Sequence, residues 1–397
     1  MSEVIFAPWP LFTQEEADKA ASVLLSNKVN YWTGQEGREF EKEFAAFAEA
    51  EYAIAVANGT LALDLALHAL GVGARNGGSE HDEVIVTSRT FLASASSIVF
   101  AGAKPVFADV DADSQNITAE SVNAVLSDNT KAIIAVHLAG WPCDMDSLMA
   151  LADVNGLKVI EDCAQAHGAK YKGRSVGAIG DIGCWSFCQD KIMTTGGEGG
   201  MVTCNDKALW ETMWSFKDHG KSYDAVYNTE HAPGFRWLHE SFGTNWRLTE
   251  MQSAIGRIQL TRMPQWKEKR QAYSAILNAA CEDFSAIRIP TVPADIEHAC
   301  YKHYVFVKPE QLAPGWSRDK IIDAINAEGV PCMQGACSEV YLEKAFDGTD
   351  FRPAQRLPIA KELGEDSLMF LVHPTLSVES VEYAAKVIRD VLAAASV

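Results

Sequence analysis

Short apolar runs alternate with segments of helical periodicity along the first half of the chain. Residues 35–50 carry Phe40, Phe44 and Phe47 at helical spacing, which predicts an amphipathic helix. The apolar runs that follow predict β-strands at residues 53–57, 82–88, 104–110, 131–138, 157–162, 181–187 and 199–205. They are apolar almost throughout rather than at alternate positions, and helical patterns lie between them. This arrangement is typical of a mostly parallel sheet that is covered on both faces.

The second half of the chain has a different pattern. A long helix is predicted from Leu248, with an interruption near Pro264 because proline lacks the amide donor of an inner helical turn. The segments after it predict a strand, a helix and a strand or strand end, at residues 301–309, 317–329 and 368–377. We therefore expect a large α/β domain at 1–247, and a linker helix with a smaller α+β domain at 248–397.

Composition narrows the class of protein. The chain has 397 residues, of which 48% are hydrophobic and 22% charged, an ordinary balance for a globular protein. A formal net charge of -19 argues against nucleic-acid binding, because phosphate contacts need excess lysine and arginine. No apolar stretch is long enough to span a bilayer, and residues 1–20 lack a signal-peptide pattern. The nine cysteines, an odd number without a C-x-x-C pair, indicate reduced thiols and a cytoplasmic location.

The segment SFCQDKIMTTGGEGG, residues 186–200, suggests chemistry at Lys191. A lysine nucleophile commonly forms a Schiff base with a substrate or with pyridoxal phosphate. That cofactor needs a carboxylate at its ring nitrogen, donors at its phosphate and a flat group over its ring. Candidates follow the predicted strands: Asp162 for the ring nitrogen, Gly59, Thr60 and Ser186 for the phosphate, Phe91 for the ring face and Gln165 for the ring oxygen. We expect the acidic neighbour Asp190 to point away from the amine.

Several of these residues also have a structural interpretation. Asp162 could cap the following helix, Ser186 could be a buried hydroxyl and Phe91 could belong to the core. His167 could be a core histidine or a partner of Asp162, and for His137 both kinds of role stay open.

The candidate residues lie in segments that resemble, in the same order, the DegT/DnrJ/EryC1/StrS aminotransferase family. These segments are residues 58–67, 87–111, 135–152, 159–187, 196–202 and 243–260. The resemblance implies the aspartate aminotransferase-like fold (pyridoxal-phosphate fold type I), with a mostly parallel sheet in the large domain. It implies that Lys191 holds pyridoxal 5'-phosphate as an internal aldimine, and that the other candidates bind the cofactor as assigned above. It further implies a homodimer in which Asn245 reaches the phosphate of the neighbouring subunit.

The resemblance also implies an activity: transamination from glutamate to a keto-sugar, most suitably a nucleotide-linked 4-keto-6-deoxy sugar, for surface polysaccharide or amino-sugar biosynthesis. Candidate substrate contacts are Lys217, His219, Lys221, Arg247 and Tyr341. The alternatives are a pyridoxal-phosphate-dependent sugar dehydratase or epimerase, and a non-catalytic regulatory protein that binds the cofactor. Lys191 favours transamination, because dehydratases of the family carry histidine there. A nicotinamide enzyme is disfavoured, because no G-x-G-x-x-G follows the first strand.

Overall fold

The computed structural model describes residues 6–397. Its strands are β1 Tyr52–Val56, β2 Glu83–Thr87, β3 Lys104–Ala108, β4 Thr130–Val136, β5 Lys158–Asp162, β6 Lys170–Tyr171, β7 Arg174–Ser175, β8 Ile182–Ser186, β9 Gly200–Cys204, β10 Ile287–Arg288, β11 Ile296–Glu297, β12 His303–Val307, β13 Cys332–Met333 and β14 Ser367–Phe370. Its α-helices are α1 Gln14–Leu25, α2 Glu36–Phe47, α3 Gly59–Ala69, α4 Ala93–Ala101, α5 Ala119–Asn123, α6 Met145–Asn155, α7 Lys207–Lys217, α8 Tyr223–Tyr227, α9 Glu250–Cys281, α10 Arg318–Ala327, α11 Pro358–Asp366 and α12 Val378–Ala395.

The largest sheet has seven strands in the order β1-β9-β8-β5-β4-β2-β3. The five strands from β8 to β3 are parallel to one another, whereas β9 is antiparallel to both β8 and β1. Neighbouring side chains of β4 belong to different hydrophobic cores, one on each face of the sheet. Ile134 shares a core with Leu65 of α3, and Ile133 shares the other with Leu148 of α6. Because both faces are covered, these strands are apolar at every position, and the predicted α/β class with a mostly parallel sheet is confirmed.

A smaller antiparallel sheet follows in the second half of the chain, in the order β10-β12-β14-β13. It shares a hydrophobic core with the end of α9 and with α10 and α12. A third sheet, β11-β6-β7, joins residues from both halves of the sequence. The division into domains at residue 247 stays a prediction.

The predicted interruption near Pro264 is wrong, because α9 runs without a break from Glu250 to Cys281. Proline in a helix interior costs about 3 kcal/mol. Helix α9 packs against α1, α2 and α12, and these contacts offset that cost. In the part of the chain from residue 6 onward, no helix combines the length and apolar character that a bilayer crossing requires.

Candidate active site

All but one of the predicted cofactor residues meet in one cavity of about 620 Å³ at the carboxyl ends of the parallel strands. We call it the central cavity. Of the cofactor-binding candidates, those that line it are Gly59, Thr60, Phe91, Asp162, Gln165, Ser186 and Lys191. Asn245 is exposed and does not line this cavity within its own chain.

One end of the central cavity is built from the start of α3 and the end of β8. Asn58 caps the helix by accepting the amide of Leu61 at 2.9 Å. The amides of Gly59 and Thr60 lie in the first turn and therefore have no helical partners. A Cβ on Gly59 would lie 2.6 Å from the Cβ of Ser186, so only glycine allows the two segments to approach this closely. The result is a cluster of amide and hydroxyl donors suited to a phosphate.

The floor of the cavity carries the Asp162 carboxylate, which is only 6% exposed. Its Oδ2 accepts from the Ser94 hydroxyl at 2.8 Å, and its Oδ1 accepts from the Ala164 amide at 3.1 Å. Thr90 bonds Ser94 in turn, at 2.9 Å. Neutral donors thus fix the carboxylate. The sequence did not indicate Ser94, although it follows a predicted strand in a run of small polar residues.

Gln165 and Phe91 lie along the walls of the cavity. The Gln165 Oε1 accepts from the Ala139 amide at 2.8 Å, so the side-chain amide has a fixed orientation. Phe91 exposes 70% of its surface although it is a large apolar residue. It is therefore not a core residue, and its ring is available to cover a flat ligand.

Hydrogen bonds to the Lys191 carbonyl and to the neighbouring Asp190 side chain fix the position of the Lys191 loop. The Trp9 indole donates to the Lys191 carbonyl at 2.8 Å, and the Asp190 carboxylate accepts from the Tyr301 hydroxyl at 2.6 Å. The Lys191 amine lies 5.5 Å from the centre of the Tyr301 ring. Burial acts to raise the pKa of Asp190, but the Lys191 charge, the Tyr301 hydroxyl and the charge of Lys302 outweigh it and lower that pKa. Trp9 and Tyr301 were not predicted.

The two histidines near the site are structural. His137 Nε2 pairs with Glu161 at 3.0 Å, and its Nδ1 accepts from the Cys143 amide at 3.0 Å. Burial acts to raise the pKa of Glu161, but His137 and backbone amides hold it below its ordinary value. Burial lowers the pKa of His167 to about 3, so it is a neutral ring packed among aromatic side chains.

The predicted anion contacts form a separate cluster. The Lys217 amine is fully buried, 3.3 Å from Glu41 and 4.0 Å from the centre of the Tyr31 ring. Lys221 and Arg247 both pair with Asp218, at 3.1 Å and 2.5 Å. Within the chain, these cations are thus engaged by carboxylate partners. His219 is exposed beside them and has a left-handed backbone, with φ of 61°.

Tyr341, the remaining predicted substrate contact, lies in the core. Its ring packs against Phe107, and its hydroxyl donates to Glu339 at 2.5 Å. The side chain is 1% exposed and does not line the central cavity. Tyr341 belongs to a short 3₁₀ turn, Val340–Leu342.

The residues present fit pyridoxal phosphate. The close approach of Gly59 to Ser186 forms a donor cluster at one end, a carboxylate lies on the floor and a lysine lies on the wall. These are the groups that the cofactor's phosphate, ring nitrogen and carbonyl require.

Comparisons with known proteins agree with this geometry. The sequence model of the DegT/DnrJ/EryC1/StrS aminotransferase family matches residues 10–389. GDP-perosamine synthase of Caulobacter vibrioides is 42% identical over 371 residues, covering 91% of this chain and 92% of that protein. The crystal structure of the aminotransferase from Psychrobacter cryohalolentis has a TM-score of 0.95 at 62% identity, covering 98% of this chain and 99% of that one. DesV of Streptomyces venezuelae, solved in complex with a ketimine intermediate, has a TM-score of 0.83 at 31% identity, covering 96% and 94%. The resemblance seen in the sequence is confirmed.

Proposed function

Because the chain belongs to the DegT/DnrJ/EryC1/StrS aminotransferase family, we propose that it moves the amino group of glutamate to a nucleotide-linked keto-sugar, with pyridoxal phosphate as cofactor. The observation that supports this most strongly is the meeting of Lys191, Asp162 and Ser186 in one cavity. The names of relatives such as GDP-perosamine synthase support a nucleotide-linked sugar as the acceptor. A 4-keto-6-deoxy sugar for polysaccharide or amino-sugar biosynthesis is the acceptor we propose. The cytoplasmic location of the protein stays a prediction, which rests on cysteine usage.

Each residue has a distinct task in this proposal. Lys191 Nζ would hold the cofactor covalently. Once displaced by the donor's amine, it would act as general base at the donor's α-carbon and as general acid at the cofactor carbon that receives this proton. The Asp162 carboxylate keeps a proton on the ring nitrogen, and its bonds to Ser94 and Ala164 fix its orientation. Gly59, Thr60 and Ser186 hold the phosphate, Phe91 covers the ring and Gln165 bonds the ring oxygen. When bound, pyridoxal phosphate supplies the electron sink that stabilises negative charge at the reacting carbon.

We also propose a homodimer with shared active sites. Asn245 is exposed next to the Asp218 segment, where it can contact a second subunit. In the dimer its amide would contact the phosphate in the neighbouring subunit's site. The cations of Lys221 and Arg247 would then lie near the neighbouring subunit's active site. That they contact the diphosphate of the acceptor stays a prediction.

Replacing Lys191 tests the covalent role directly. Holoenzyme should show a visible absorbance band from lysine-bound cofactor, and Lys191→Ala should lose both this band and transfer of nitrogen from glutamate. Lys207→Ala, at an exposed lysine paired with Glu211 on α7, is the matched control and should keep both. If the band persists in Lys191→Ala as it does in wild type and in Lys207→Ala, the proposal is contradicted.

A further inference from the structure

Lys302 is a second lysine of the cleft that the mechanism above does not use. It lines a cavity of about 350 Å³, the side cleft, together with Lys191, Asp190 and Gln165. Because Lys191, Asp190 and Gln165 also line the central cavity, the two spaces adjoin at the reacting amine. Lys302 therefore lies beside the place where both substrates react.

The amines of Lys191 and Lys302 lie against the same aromatic ring. The Lys302 Nζ is 4.9 Å from the centre of the Tyr301 ring, and the Lys191 Nζ is 5.5 Å from it. Among residues 6–397, no side-chain carboxylate comes within ion-pair distance, 4.0 Å, of the Lys302 amine. Lysines are almost never buried without a partner. A half-buried, unpaired ammonium in a substrate cleft is available to bind an anion.

The charges around Lys302 favour an anion. Arg270, only 1% exposed, donates to the Tyr301 carbonyl at 3.2 Å, while its Nε and Nη2 have no acceptor among the described residues. The nearby carboxylate of Asp190 already accepts from Tyr301, and Glu343 lies at the exposed rim of the side cleft. Burial and the Arg270 charge lower the pKa of Lys302 to about 8, which reflects this unfavourable concentration of positive charge.

We propose that Lys302 binds a carboxylate of the amino-acid donor, so that it is a specificity-determining residue for the first substrate. This inference rests on the proposed function. The amine of the donor must reach the position of Lys191 Nζ, and its α-carboxylate is attached to the same carbon as that amine. The carboxylate therefore enters the cleft beside Lys191, where Lys302 presents an unpaired cation. The cofactor phosphate has its own donors at Gly59 and Ser186 and does not compete for it.

The test uses holoenzyme and three variants. Lys302→Met removes the charge at similar length, Lys302→Arg keeps it, and Lys308→Met is the matched control at the end of β12, outside both cavities. The Michaelis constants for glutamate and for the keto-sugar are measured in full turnover. Binding of glutarate, which has both carboxylates of the donor but no amine, is measured by calorimetry without sugar.

Loss of a charge-assisted hydrogen bond should weaken donor binding by roughly 10- to 100-fold. We expect Lys302→Met to raise both the glutamate KM and the glutarate dissociation constant by that factor, with the sugar KM changed less than twofold. Lys302→Arg should recover most of the loss, and Lys308→Met should match wild type.

Two results would overturn the inference. In one, glutamate and glutarate bind Lys302→Met as tightly as wild type; in the other, only the sugar KM rises, which assigns Lys302 to an acidic group of the acceptor. If wild-type enzyme transfers no nitrogen at all, the proposed function fails instead, and glutarate titration still decides whether Lys302 binds a carboxylate.

Discussion

The two cleft lysines differ in their surroundings. Lys191 sits on a loop fixed by Trp9 and follows Asp190, whereas burial and the charges of Arg270 and Lys191 lower the pKa of Lys302. The Tyr301 ring lies near both amines, that of Lys191, which we propose reacts, and that of Lys302, which we propose binds the donor. This difference has a measurable consequence in pH dependence.

Donor binding should weaken as the pH rises above about 8, because the pKa of Lys302 is lowered to about 8 and its ammonium is lost above that value. More than about one pH unit below that value the ammonium is almost fully present, so the glutarate dissociation constant should be flat there and should rise about tenfold per pH unit well above it. Of the groups that face Lys302, Asp190 has a lowered pKa and Arg270 one of about 10, while the pKa of His373 is lowered to about 3.

The control for this pH profile is Lys302→Arg. Its guanidinium keeps its charge up to about pH 12, so glutarate binding to this variant should lack the rise above pH 8. The same rise in wild type and in Lys302→Arg would assign the titration to another group.

At the scale of elements, the site depends on how closely α3 approaches β8. Gly59→Ala would place a methyl group 2.6 Å from the Ser186 Cβ and force the two apart. We expect about 1–3 kcal/mol of destabilisation and at least a tenfold weaker affinity for pyridoxal phosphate, measured by unfolding and by titration of the apoprotein.

Gly364→Ala is the matched control, because its methyl group would also press on a serine, 2.9 Å from the Ser338 Cβ, but away from the central cavity. It should destabilise the fold without weakening the cofactor affinity. Equal cofactor affinity in wild type and Gly59→Ala would show that the donor cluster does not hold the phosphate.

The elements themselves were largely predictable. Every strand of the seven-stranded sheet overlaps an apolar run, because strands buried on both faces are apolar throughout. The prediction failed at Pro264, where the local cost of proline is real but contacts with distant helices outweigh it. A pattern along the chain records local preference, and it contains no information about which helices pack on α9.

The meeting of Lys191, Asp162 and Ser186 in one cavity was predictable, because motif spacing and family resemblance both indicate these residues. Their supports were not. Trp9 bonds the Lys191 carbonyl across a separation of 182 residues, and Tyr301 bonds Asp190 across 111. Nothing near Trp9 or Tyr301 in the sequence indicates such a partner, since the contact exists only once the layers have packed. Lys217 and Tyr341 were predicted as substrate contacts because their chemistry is suitable. In the fold, each is instead engaged by a carboxylate, Glu41 for Lys217 and Glu339 for Tyr341.

At the scale of the whole molecule, Asn245 should act across the subunit interface. Lys191→Ala and Asn245→Ala are each expected to be inactive or nearly so. In a mixed dimer, the Asn245→Ala chain supplies an intact Lys191 and the other chain supplies an intact Asn245. One complete site therefore forms per mixed dimer.

The two variants are mixed in equal amounts under conditions that allow subunits to exchange. Half of the dimers are then mixed, and one of the two sites in each mixed dimer is complete. The mixture should therefore recover about a quarter of the wild-type activity. Sedimentation of the mixture verifies the dimer. No recovery in mixtures that do exchange subunits would show that Asn245 serves its own chain. An active Asn245→Ala homodimer would show that Asn245 has no role at the site.

The most direct test of the central claim is the fate of the nitrogen. Holoenzyme is incubated with ¹⁵N-labelled glutamate and nucleotide-linked keto-sugars, and the sugar products are analysed by mass spectrometry, with Lys191→Ala in parallel. The account predicts an amino-sugar carrying the ¹⁵N label with wild type and none with Lys191→Ala. A sugar product that has lost water or changed configuration without gaining nitrogen would contradict it.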